Sequence, residues 1–190
     1  STIEWFLIFK YYNIWTELLM KKELENKLKK IKLVITDVDG VLTDGGRYFS
    51  ENGEIFKKFH VRDGMAVNIL LRNKIKTVIV TKESSKIVKK WGKEMNVNKI
   101  FSNSVKKESK LRTICTQYKL KPNQIAFIGD DVNDLELLRL VGFSATTNDS
   151  VDIVKDTVDY VCKRNGGQGA FREIVDLILK IKLDKQINWY

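Results

Sequence analysis

IKLVITDVDGVLTDG, residues 31–45, runs an apolar segment straight into two carboxylates and a glycine-punctuated turn. Leu33, Val34, Ile35 and Thr36 are apolar or β-branched without alternation, which predicts a strand buried on both faces of a parallel sheet. In open α/β sheets ligands bind beyond the carboxyl ends of the strands, so Asp37 and Asp39 stand where chemistry is expected. Asp and Gly also build turns through local hydrogen bonds, and from this fragment alone a plain turn explains the pair equally well.

Outward from this strand, helix and strand patterns alternate. RYFSENGEIFKKF, residues 47–59, places two short aromatic and β-branched runs around Asn52-Gly53 and reads as a hairpin. Apolar spacing predicts a helix over Met65–Leu71, then a buried strand over Lys76–Thr81 and a lysine-rich helix from about Ser84 to Glu94. A short strand at Ile100–Phe101 and a helix from Leu111 to Tyr118 follow. The single proline, Pro122, precedes a strand over Gln124–Ile128. A helix over Leu135–Leu140, strands at Phe143–Ala145 and Tyr160–Cys162, and a last helix over Phe171–Ile181 complete the pattern. Such alternation implies right-handed crossovers, giving a Rossmann-like α/β fold with helices on both faces of a parallel sheet and one projecting hairpin. Residues 1–30 read as a helical extension, 31–182 as the domain and 183–190 as a tail. Residues 1–19 are aromatic-rich and compatible with an amphipathic helix.

The chain has 190 residues and a formal net charge of +10, with 34 Lys and Arg against 24 Asp and Glu. A balance this basic suits an anionic partner, and the lysines are dispersed without a basic stripe or a nucleic-acid reader motif. A small phosphorylated or carboxylated substrate is therefore expected, and no nucleic acid. Cys115 and Cys162 lack metal-site spacing and suit a reducing cytoplasm. No apolar run approaches the roughly 20 residues of a membrane-spanning helix.

IAFIGDDVNDLELL, residues 125–138, repeats the opening logic: an apolar strand ends in glycine and then Asp130, Asp131 and Asp134. Carboxylates from two strand tips repel unless a cation neutralises them, and an all-oxygen set suits Mg2+. Thr81 at the tip of another strand and the pair Lys106 and Lys107 are candidate phosphate binders. Together they describe phosphoryl chemistry, which asks for charge neutralisation and an in-line nucleophile, a part that an aspartate can take. Asp37 is the best placed to attack. His60 is expected to be structural, and Arg62 and Asp63 to shape their loop.

DVDGVLTDG, Thr81, Lys107 and GDDVND resemble, in order and spacing, the four motifs of the haloacid dehalogenase superfamily across about residues 31–181. FKKFHVRDGMA and GGQGAFREI resemble its phosphatases for 8- or 9-carbon keto-sugar acid phosphates, such as 3-deoxy-D-manno-octulosonate 8-phosphate or a nonulosonate 9-phosphate. They equally resemble the phosphatase-like domain of some acylneuraminate cytidylyltransferases. The resemblance implies Asp37 as nucleophile and metal ligand, Asp39 as general acid and base with a metal-binding backbone carbonyl, and Asp130 as a further metal ligand. Asp131 and Asp134 support the site. Thr81 and Lys107 hold the phosphoryl group, with Lys106 as the neighbouring substitute. Arg62, Gly64, Lys82, Glu83 and Arg172 are the expected substrate contacts.

The gaps between motifs leave no room for a cap domain, so a neighbouring subunit is the expected lid; the resemblance implies a homotetramer in which a neighbour's C-terminal segment closes over the site, Gly166, Gly167, Gly169 and Arg172 lying in the matching stretch. Lys82 replaces the usual glycine of the second motif, and Gln168 stands where arginine is common. The competing reading is a noncatalytic module for oligomerisation or for regulating a sugar-nucleotide synthase. A phosphate-accepting receiver domain is a third, though it would not need Asp39.

Overall fold

The computed structural model describes residues 2–190, and of their side chains those of residue 10 and residues 14–190. Helix α1 (Thr2–Lys30) leads into β1 (Leu33–Thr36), then the hairpin strands β2 (Tyr48–Ser50) and β3 (Gly53–Phe56) and α2 (Val61–Arg72). The chain continues through β4 (Lys76–Val80), α3 (Lys86–Glu94), β5 (Lys99–Phe101), α4 (Ser109–Tyr118) and β6 (Ile125–Ile128). It ends with α5 (Leu135–Leu140), β7 (Phe143–Thr146), α6 (Asp152–Lys155), β8 (Tyr160–Val161) and α7 (Ala170–Leu183).

Six strands form one sheet in the order β5-β4-β1-β6-β7-β8, all parallel. The chain winds outward from β1 through β4 to β5, then crosses back to β6. That reversal makes the carboxyl end of β1 a topological switch point, where the diverging connections leave a crevice. Thr36 pairs with Ile128 of β6 and Ile79 of β4, so Asp37 emerges at the centre of the sheet.

The buried strands sort their side chains by the two-residue period. Val34, Ile79, Ala126 and Ile128 pack with α2 and α7 on one face, while Leu33, Ile35, Val78, Val80 and Phe127 pack with α4 and α5 on the other. Both faces are covered, which is why these strands read as continuous apolar runs.

Two expectations shift in detail. The hairpin turns at Glu51-Asn52 rather than Asn52-Gly53, with Ser50 paired to Gly53. Neither Glu51 nor Asn52 has positive φ, while Gly53 has φ of 110°. A type I′ turn needs positive φ at both central residues, so glycine instead occupies the fourth position of the turn. Helix α2 begins four residues earlier than Met65, at Val61, because His60 caps it: its Nδ1 accepts a hydrogen bond from Arg62 N at 3.2 Å. His60 is thus structural, as expected.

The ends of the chain also belong to the packing. Leu28 of α1 is fully buried in the core shared with α7, Leu24 packs against it, and Lys27 Nζ contacts Asp159 Oδ1 at 2.6 Å. A boundary at residue 30 would cut these contacts. Towards its start the helix exposes Trp15, Leu18, Leu19 and Met20, and most of the segment expected to be amphipathic lies outside the described side chains. The tail docks on α2, with Asn73 exchanging two 2.9 Å hydrogen bonds with Asn188. Among the described residues, no helix is long and apolar enough to cross a membrane.

Leu28→Ala should destabilise the fold by about 2–5 kcal/mol in urea titrations, the usual cost of truncating a buried leucine. A change under about 0.5 kcal/mol, typical of surface positions, would show that α1 is a mere appendage.

Candidate active site

The end of β1 delivers Asp37, whose backbone N–H donates to the Ile128 carbonyl at 3.0 Å and so continues the ladder to β6. Asp37 Oδ2 lies 2.8 Å from Lys107 Nζ, which reaches Asp134 Oδ1 at 2.6 Å. Lys107 is fully buried, in the loop between β5 and α4, whereas Lys106 is exposed. Between the two expected lysines, the fold brings only Lys107 to Asp37.

Asp134 is held through both of its carboxylate oxygens. Its Oδ2 accepts from the backbone N–H groups of Asp130 at 3.0 Å and Asp131 at 3.3 Å, shaping the loop after β6. Asp131 is turned to local work, its Oδ1 accepting from Val132 N at 2.7 Å. Carboxylate oxygens of Asp37, Asp130 and Asp134 all lie within 4.8 Å of one another.

Charge is unbalanced in this cluster. Three carboxylates face one ammonium, leaving two negative charges when all are ionised. Burial drives Asp37 up to about 7, with the charge of Lys107 opposing the rise and that of Asp134 adding to it. Burial, then the charges of Asp37 and Asp134, push Asp130 up to about 8 against the opposing pull of Lys107. Burial alone would lower Lys107, but the charges of Asp37 and Asp134 more than reverse it and raise it above its ordinary value. All-oxygen donors with a surplus of two negative charges fit a divalent hard cation, and Asp37 and Asp130, which both line the cleft, are placed to hold it.

Asp37, Asp39, Thr81, Lys82, Glu83, Asp130 and Asp131 line a single cleft of about 340 Å³, joined by Arg47. Thr81 is fixed by its N–H donating to Phe101 O at 2.9 Å. Arg47 eluded sequence reading, as did Lys57. The side chain of Lys57 is 1% exposed, its Nζ 2.6 Å from Asp39 Oδ1 and 2.7 Å from Glu54 Oε1. Both come from the hairpin, where nothing in the pattern marks which lysine turns inward.

Three expected substrate contacts are placed elsewhere. Arg62 and Arg172 line a separate cavity of about 770 Å³, with Arg172 Nε held by Asp176 at 2.7 Å. Gly64 is a packing glycine of α2, where a Cβ would crowd Met95 Sδ at 2.5 Å. Asp63 ties the two helix starts together by accepting from Arg172 N at 2.8 Å. The GGQG loop supports the Asp37–Asp39 turn of its own chain: Gly167 N donates to Val41 O at 2.9 Å, and a Cβ on Gly166 would collide with the Gly40 carbonyl.

A family model for haloacid dehalogenase-like hydrolases matches residues 65–174. The chain belongs to this family. The 3-deoxy-D-manno-octulosonate 8-phosphate phosphatase KdsC of Haemophilus influenzae is 38% identical over 157 residues, spanning 83% of this chain and 87% of the relative. The solved cobalt-bound form of the Haemophilus influenzae phosphatase superposes with a TM-score of 0.80 over 82% of this chain and 91% of that one, at 38% identity. The Moraxella catarrhalis 3-deoxy-D-manno-octulosonate 8-phosphate phosphatase was solved with magnesium ion, phosphate ion and KDO. It is 33% identical, with a TM-score of 0.82 over 84% of this chain and 92% of that one.

The raised values of Asp37 and Asp130 give a pH dependence of definite sign. Between their ordinary 3.8 and about 7 to 8 the folded state binds more protons than the unfolded one, so their contribution to stability falls as pH rises across that window. Metal-free protein should therefore lose melting temperature from pH 4 to pH 8, less steeply in Asp130→Asn. Magnesium should raise the melting temperature more at pH 8 than at pH 5, because at the lower pH it competes with protons. A magnesium shift independent of pH would contradict this charge balance.

Proposed function

We propose that this chain is a magnesium-dependent phosphomonoesterase for an 8- or 9-carbon keto-sugar acid phosphate, foremost 3-deoxy-D-manno-octulosonate 8-phosphate. One observation carries it: Asp37, backed by the buried Lys107, opens into the same cleft as Asp39, Thr81 and Asp130. The similarity to KdsC over most of both chains supports the substrate class.

Asp37 attacks phosphorus through a carboxylate oxygen while the bond from phosphorus to the sugar oxygen breaks, leaving an aspartyl phosphate. The departing alkoxide takes a proton from Asp39. Asp39, now a carboxylate, removes a proton from water as the water oxygen attacks phosphorus. The bond from phosphorus to Asp37 breaks, releasing phosphate and restoring both aspartates. Lys107 offsets charge at Asp37 throughout, and Thr81 donates to a phosphoryl oxygen. Asp37 and Asp130, with the Asp39 carbonyl, would hold a magnesium ion, which would supply further neutralisation of phosphoryl charge.

At the mouth of the cleft, Arg47, Lys82 and Glu83 meet the sugar acid, and the two cations suit its carboxylate. Arg62 and Arg172, facing another cavity, would reach a substrate only at a neighbour's cleft. The hairpin supports such an assembly, since Phe49, Ile55 and Phe56 are exposed on a two-stranded ribbon, an element marginal by itself. We place the working form as a homotetramer in the cytoplasm, where Cys115 and Cys162 stay reduced. We take residues 31–182 to carry the catalytic fold, completed by α1 and the tail, whose core contacts make them part of the same packed unit.

Asp37→Asn should lower phosphate release from sugar-acid phosphates by about 1,000-fold or more while circular dichroism still reports a folded protein. Turnover within tenfold of wild type would end the covalent mechanism and favour a module that does not depend on it. In light scattering, Phe49→Lys with Ile55→Lys should shift the tetramer to smaller species. An unchanged mass would remove the hairpin from the interface.

A further inference from the structure

Lys57 and Lys58 are adjacent and chemically identical, yet their fates are opposite: the Lys57 side chain is 1% exposed and that of Lys58 is 64% exposed. An ammonium is costly to bury, and a hairpin needing only packing would do as well with an apolar residue. What distinguishes Lys57 is its target, Asp39 Oδ1 at 2.6 Å. Its second partner, Glu54, also accepts from Ser85 Oγ at 3.2 Å, and Ser85 caps α3 directly after the Thr81-Lys82-Glu83 loop.

The segment is clamped on its far side as well. Phe59 stacks on Trp91 with ring centroids 4.5 Å apart and pairs with Thr43 of the first turn. The Lys57 ammonium is therefore held from both directions at a fixed point under Asp39. Two lysines then divide the two aspartates: Lys107 takes Asp37 with Asp134, and Lys57 takes Asp39 with Glu54.

We propose that Lys57 is the positioning residue of Asp39. It holds Oδ1 so that Oδ2 meets the ester oxygen, and it keeps the carboxylate from turning into the Asp37–Asp130 cluster. Lys57 itself is sealed from the cleft and does not touch substrate. The inference rests on the reading of Asp39 as the group that protonates the leaving alkoxide, and it predicts a dependence on leaving group that a purely structural lysine would not produce.

The test is single-turnover alcohol release with enzyme in excess, which reports the ester-cleavage step apart from hydrolysis of the intermediate. In Lys57→Met, release of the sugar alcohol from 3-deoxy-D-manno-octulosonate 8-phosphate should slow by about 100-fold, the scale of a lost general acid. Release of p-nitrophenol from p-nitrophenyl phosphate should slow by about threefold or less, because that anion departs without a proton. Asp39→Asn should show the same split, and Lys57→Arg should recover much of the loss. Should Lys57→Met fold poorly, Glu54→Gln with Lys57→Met removes the freed carboxylate and permits the same comparison. Equal slowing of both substrates, or no slowing of either, overturns the inference. Wild type inactive on the sugar acid but active on another primary alkyl phosphate overturns the substrate reading alone, and the split is then measured on that ester. Wild type inactive on every ester overturns both.

Discussion

A lysine ammonium buried between two aspartates holds this structure's chemistry in place. Lys107 reaches from the loop after β5 to Asp37 at the tip of β1 and Asp134 in the loop after β6. Removing Lys107 would strand both carboxylates in a dry interior, and the one ammonium ties the three segments to one geometry. Asp134 passes the constraint on through the backbone of Asp130 and Asp131, aiming Asp130 at Asp37. Burial above all, with neighbouring carboxylates adding to it, lifts the affinities of Asp37 and Asp130 for protons, and a divalent cation would offset the same negative charge.

The hairpin plays a parallel part for Asp39. It is not hydrogen-bonded into the main sheet, yet Lys57 and Glu54 join it to the first turn and to the cap of α3. An element that looks like decoration on the rim is thereby coupled to the acid that the proposed mechanism asks to move protons. Its aromatic outer surface lies exposed, while its buried lysine turns to Asp39.

Much of this was legible in the sequence, for identifiable reasons. Strands buried on both faces are continuous apolar runs, and acids at their tips fall at the switch point whatever the loops do, so the sheet, Asp37, Asp130 and Thr81 could be read directly. Lys107 could be read from motif order, though only packing separates it from Lys106. Lys57 and Arg47 were not legible, because a lysine pair in a short ribbon carries no sign of which member turns inward until the register is known. The turn at Glu51-Asn52 shows the same limit, since Asn-Gly is compatible with more than one placement of the glycine. Arg62, Gly64 and Arg172 came from motif resemblance; within one chain α2 and α7 place Arg62 and Arg172 on a separate cavity and Gly64 against Met95.

The proposed covalent step at Asp37 can be trapped. Borohydride added during turnover of a sugar-acid phosphate reduces an aspartyl phosphate to homoserine, which peptide mass spectrometry locates. Homoserine at position 37, dependent on magnesium and absent without substrate, is the expected result. Sustained phosphate release with Asp37 unmodified, or homoserine at another aspartate, would contradict it.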